Sequence, residues 1–148
     1  MSTPSNVVSV ISQLLQANWS LGSPAKGDIL WTDNKPDTMQ LPQWTKNYLI
    51  AVYNPSNPVT SKVLARELWE ITENVHVDIY IKVMGTVDAA TVTREIMREE
   101  CYRIMHVNQL SVPGQKTADI TREVHKIESP EIVRLCLLVA AVSWDIRQ

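Results

Sequence analysis

The side chains able to do chemistry in this 148-residue chain are few. They are His76, His106 and His125, Cys101 and Cys136, and two groups of acids, Glu70, Glu73 and Asp78, then Glu95, Glu99 and Glu100. A Cys/His metal pair on a helix needs both donors on one face, three or four residues apart. Cys101 and His106 are five apart and miss that spacing. His76 falls on the polar side of an alternating segment and His125 within a charged one. A histidine in such a place is ordinarily a solvated or hydrogen-bonded surface residue. The chain has no CxxC, HExxH or DxD, no phosphate-binding GxxxxGK[ST] or GxGxxG, and no GxSxG nucleophile turn. With only four glycines it has little material for a phosphate cradle. Glu70, Asp78 and Lys82 share one parity of a strand, where a metal-dependent nuclease could place its acids. Alternating charge is also the ordinary way to keep a strand face soluble. The chain is therefore read as a non-enzyme, with no catalytic, cofactor-binding or metal residue assigned.

The element that must position these groups is residues 69–83. Trp69, Ile71, Val75, Val77, Ile79, Ile81 and Val83 hold the odd positions, broken only by Glu73. Glu70, Thr72, Asn74, His76, Asp78, Tyr80 and Lys82 hold the even ones. A period of two means a half-buried β-strand, because successive side chains point to opposite faces. Fifteen residues extend roughly 50 Å at about 3.3 Å each. Such a strand either bends around its core or projects past it.

The remaining elements follow from periodicity and punctuation. Val7, Val8, Ile11, Leu14, Leu15 and Trp19 recur at helical spacing, with Ser5 or Asn6 as the N-cap. Residues 28–32 and 44–53 read as strands, the apolar half of the second, 48–53, covered on both faces. Between them 33–43, with two prolines, is a loop. Residues 59–66 are either an extended arm or a loop. Asp88 is placed as the N-cap of a helix to about Val107, whose apolar face holds Ala89, Val92, Ile96, Met97, Cys101, Ile104 and Met105. Glu99 and Arg103 have the i,i+4 spacing of a helical ion pair. Residues 120–128 form a charged strand. The apolar run 131–146 reads as a strand rather than a buried helix, because its length suits pairing with 69–83. The order α–β–β–β–α–β–β describes one α+β domain over 1–148. Its architecture is a two-layer one, a mixed or antiparallel sheet with two amphipathic helices packed on it.

Composition narrows the classes. Fourteen basic and sixteen acidic residues give a net charge of −2, with no basic run or basic–aromatic interleaving to hold nucleic acid by its phosphates. The longest apolar run, 135–142, is far short of the roughly 20 residues of a membrane span. The N-terminus lacks the pattern of a signal peptide. Two cysteines are too few for a disulfide scaffold and read as buried and reduced. Phenylalanine is absent, yet there are five tryptophans, Trp19, Trp31, Trp44, Trp69 and Trp144. Each most simply caps an end of the core, but Trp44 and Trp69 sit at strand mouths, where tryptophan also serves interfaces.

The succession of an N-terminal amphipathic helix, a strand pair around a proline-rich loop, ELWEITENVHVDIYIKV, DAATVTREIMREECYRIM, TREVHKIE and VRLCLLVAAVSWDI resembles the lambda-type tail terminator (tail completion) proteins of long-tailed phages and related viruses. The match is one of elements, covering about 5–146, without a diagnostic motif. It implies a structural virion protein forming a homo-oligomeric ring, commonly a hexamer. That ring would cap the tail tube, end its polymerisation and present the head-docking surface. Implied partners are copies of itself, the tail tube protein and a head-completion or neck protein. No membrane and no sequence-specific nucleic acid is implied, only DNA passing through the lumen. The implied location is the head-proximal end of the tail, after assembly in the host cytoplasm. Trp44, Tyr53, Trp69, Glu70, Asp78 and Lys82 are the expected subunit or partner contacts. The alternatives are another neck or head–tail connector protein, or a small metal-dependent nuclease using Glu70 and Asp78.

Overall fold

The computed structural model describes residues 7–35, 44–55, 59–112, 115, 117–129 and 131–146. In chain order these form α1 (Val7–Asn18), a single 3-10 turn (Lys26–Asp28), β1 (Ile29–Thr32), β2 (Tyr48–Tyr53), β3 (Val59–Val63), β4 (Leu68–Lys82), α2 (Val87–Asn108), β5 (Thr117–Ser129) and β6 (Ile132–Ile146). The expected succession holds with one addition. Residues 59–63, left open between arm and loop, are a strand. The second strand starts at Tyr48, not Trp44, and the caps expected at Ser5 or Asn6 lie outside the described residues.

The strands make one sheet in the order β1-β2-β4-β6-β5, with β3 also paired to β4. Only β1 and β2 run parallel; the other pairs are antiparallel. The apolar run 132–146 is a strand and pairs with β4 from Leu68↔Ile146 to Lys82↔Ile132. Both helices lie on one face. They bury Val7, Val8, Ile11 and Leu15 from α1, and Met97, Cys101, Ile104 and Met105 from α2, against Val75, Val77, Ile79 and Ile81 of β4. Each such side chain contributes roughly 1.5–3 kcal/mol of transfer free energy. This is the α+β, two-layer domain that the periodicities imply. The sheet's other face carries no helix among the described residues, only a small cluster of Leu49, Ala51, Tyr53, Tyr80 and Ile132 edged by Leu30 and Trp44.

Three details of α2 differ from the sequence reading. Its N-cap is Thr86, whose side chain accepts from the Ala89 amide at 3.1 Å, and not Asp88. Gly85, at φ 106°, supplies the left-handed turn before it. The stripe on the sheet runs through Ala90, Met97, Cys101 and Ile104. At about 100° per residue, Val92 and Ile96 sit roughly 200–240° from Ala90. They are therefore exposed, at 60% and 41%. Arg103 reaches Glu100 and the Asn18 carbonyl instead of Glu99. Glu100, on the buried side, also accepts from the Ser20 amide and hydroxyl, each at 2.9 Å. These bonds join α2 to the end of α1. Burial opposes the charge, but the Arg103 and Ser20 bonds outweigh it and lower the Glu100 pKa.

Candidate functional site

β4 divides into two halves with different surroundings. From Val75 to Ile81 its helix-side residues are fully buried. From Leu68 to Asn74 every residue is only half-buried. This outer half, about 23 Å long at 3.3 Å per residue, is flanked by β3 and by the end of β6. At residues 72–74 β5 still flanks β6 on the far side; beyond them, residues 68–71 project past the core as a three-stranded ribbon with β3 and the end of β6. β3 forms its free edge and is exposed at all five residues. An edge strand presents unpaired backbone donors and acceptors that pair readily with another chain.

The register assigns faces to the ribbon. Val59, Ser61 and Val63 lie opposite Glu73, Ile71 and Trp69 on the helix-side face. Thr60, Lys62, Thr72, Glu70, Val142 and Trp144 share the other. Val59, Val63 and Trp144 are each more than half exposed. Trp69 and Glu70 are accordingly in the ribbon, on opposite faces. Burial raises the pKa of Glu73, the one acid on the apolar side.

Asp78 is not on an exposed strand face, as alternating charge suggested; it is completely buried. Tyr53, opposite His76 on the neighbouring strand, covers it from one side and β6 from the other. Its Oδ2 accepts from Tyr53 Oη at 2.6 Å, Arg134 Nη2 at 2.8 Å and Tyr80 Oη at 3.3 Å. The guanidinium also lies over the Tyr80 ring, 5.4 Å from its centroid. Burial, then the bond to Asp78, push the Tyr53 hydroxyl far above its ordinary pKa. Cys136 is the cross-strand partner of Asp78. His76 packs its ring edge-on to Tyr53 at 5.4 Å, and burial lowers its pKa. Beside this cluster His76, Arg134, Cys136, Leu138, Arg122, Val124 and Lys126 line an open cleft of about 270 Å³.

The six expected contact residues therefore fall into two places. Tyr53 and Asp78 are bonded to each other inside the cluster. Lys82 donates to the Trp44 carbonyl at 2.6 Å, and Trp44 meets Tyr80 edge-on at 6.0 Å, so this pair adjoins the same cluster. Trp69 and Glu70 lie in the ribbon. Glu70 and Asp78 are eight residues apart on one extended strand, about 26 Å, and do not converge on a pocket. The sequence reading missed Arg134, Cys136 and Tyr80 as partners of Asp78, and β3 as the ribbon's edge. Only the cross-strand register brings them together.

Among the other tryptophans, Trp19 and Trp31 meet edge-on at 5.6 Å and brace α1 against β1. No described helix is long and apolar enough to cross a membrane. No protein-family model matches the chain, and no curated protein is significantly similar to it.

Proposed function

We propose that this chain is a non-enzymatic structural subunit of the tail-terminator kind, assembling into a closed ring at the head-proximal end of a viral tail. In this reading the ring stops the tail tube and receives the head. What carries it is the ribbon. The outer half of β4, with β3 and the end of β6, extends past the fully buried rows of the core, and Val59, Val63 and Trp144 there are each more than half exposed among the described residues. A folded domain gains nothing in its own core from such an extension; a neighbouring copy can cover it.

Ring closure is heterologous, so each subunit must offer two different surfaces. The ribbon is one. The stripe of Ala89, Val92 and Ile96 on the outer side of α2 supplies a second. The test is the mass of the purified chain across concentration, with negative-stain images of the same samples. Wild type is expected to form closed rings with a central hole. V59K/V63K, altered at two exposed positions, is expected to keep the monomer's unfolding midpoint and lose the rings. A strict monomer at every concentration, indistinguishable from V59K/V63K, refutes assembly through the ribbon.

A further inference from the structure

His76, Asp78 and Cys136 each offer one donor atom, and the three lie within 4.8 Å of one another. They come from adjacent strands on the helix-free face, His76 and Asp78 two residues apart on β4 and Cys136 directly across on β6. A tetrahedral site holds its donors about 2.0–2.3 Å from the ion and so about 3.3–3.8 Å apart. Donors within 4.8 Å of one another have about 1 Å or less to close to reach that size.

A second observation points the same way. Three donors converge on Asp78 Oδ2, yet Oδ1 is buried and has no hydrogen-bond partner among the described residues. One carboxylate oxygen held by a guanidinium and hydroxyls, the other left bare, is how an outer shell orients a metal-binding carboxylate. A buried bare oxygen is otherwise costly. Access exists through the cleft that His76 and Cys136 line.

The geometry points to a divalent transition-ion site of the zinc type. An imidazole nitrogen of His76, an Asp78 oxygen and the Cys136 sulfur are its protein ligands, and the fourth position faces the cleft. Thiolate and imidazole together select zinc or cobalt over the hard cations magnesium and calcium. In the free site the buried Cys136, directly across from the Asp78 carboxylate, holds its thiol proton, because a second negative charge there would be desolvated and repelled. Binding releases that single proton from Sγ to solvent, the sulfur donates its pair to the ion, and no electron is transferred. The surrounding cations Arg122, Lys126 and Arg134 oppose the ion and set its affinity below that of a four-ligand structural site. This inference is independent of ring assembly.

The test is a titration of the full chain with cobalt(II) alone, read by absorbance. One equivalent is expected to produce a near-ultraviolet sulfur-to-cobalt band with the visible bands of tetrahedral cobalt, and zinc is expected to bleach both. C136S should abolish the near-ultraviolet band. H76A should weaken binding by at least about tenfold, the least that even outer-shell losses cost. Circular dichroism of each variant checks that it is folded. Absence of the band in wild type overturns the site whatever the variants do. A band that survives C136S overturns it too, since the sulfur would then be that of Cys101 in α2.

Discussion

Truncating Arg134 to alanine tests the physical account of the helix-free face. The guanidinium donates to Asp78 Oδ2 at 2.8 Å, and Asp78 is fully buried while the Arg134 side chain is 20% exposed. Removing one partner of a buried ion pair costs about 3–5 kcal/mol, because the remaining charge is left in a poor solvent. Two facts place R134A at the low end, near 3 kcal/mol. Tyr53 and Tyr80 still donate to Oδ2, and water can enter where the arginine was. With a urea m-value of about 2 kcal/mol/M, the unfolding midpoint should fall by about 1.5 M. The companion is D78N/R134A, which removes the stranded charge and keeps the side chain's shape. It should be clearly more stable than the sum of the single losses predicts, with a coupling energy of about 2 kcal/mol. The assay is equilibrium denaturation followed by far-ultraviolet circular dichroism, with chelator in every sample so that metal does not contribute. A loss below about 1 kcal/mol in R134A, the scale of a surface pair, refutes the reasoning. So does a double mutant whose loss equals the sum of the singles.

Two further outcomes concern single carboxylates. Burial works against the Glu123 charge. Bonds from Arg98, His125 and Tyr102, each 2.8 Å, outweigh it and hold its pKa at about 2. A depressed folded pKa contributes stability above the unfolded value of about 4.3, which is lost as pH falls through about 2. E123Q should therefore be destabilising at pH 7, with a penalty that shrinks as pH falls from about 4.3 towards 2; a penalty unchanged with pH refutes this. Glu73 carries the opposite sign, since burial raises its folded pKa. Its charge costs stability above that pKa and the cost disappears on protonation. E73Q should be more stable than wild type at pH 7, with the advantage closing as pH falls through the carboxylate range. Thermal unfolding of the monomer at several pH values decides it, and a destabilised E73Q at pH 7 shows the reasoning wrong.

Periodicity alone determined the main elements. Two-residue alternation over 69–83 defined β4, 3.6-residue recurrence defined both helices, and the largely apolar segment 132–146 had the length and composition of its central partner. These signals are local, because a side chain's direction follows from its own backbone. Which residues meet across strands is not local, and there the tertiary structure decided. The fifteen-pair β4–β6 register sets Asp78 beside Cys136 and brings Arg134 within reach, so a carboxylate in a polar-looking row is fully buried. A register shift between Ile120 and Arg122 decided the rest. The bulge at Thr121 inserts one residue and reverses the alternation. Ile120 lies in the helix-side core, whereas Arg122, Val124 and Lys126 are carried to the opposite face, into the cleft beside Cys136. The same shift sends Glu123 to the helix side, where Arg98 and Tyr102 of α2 meet it. An unbroken alternation through 120–126 would reverse both assignments, and no residue in TREVHKIE announces the extra one. A bulge is settled by how β5 meets β6 and α2 together, and that is information no single strand's sequence carries.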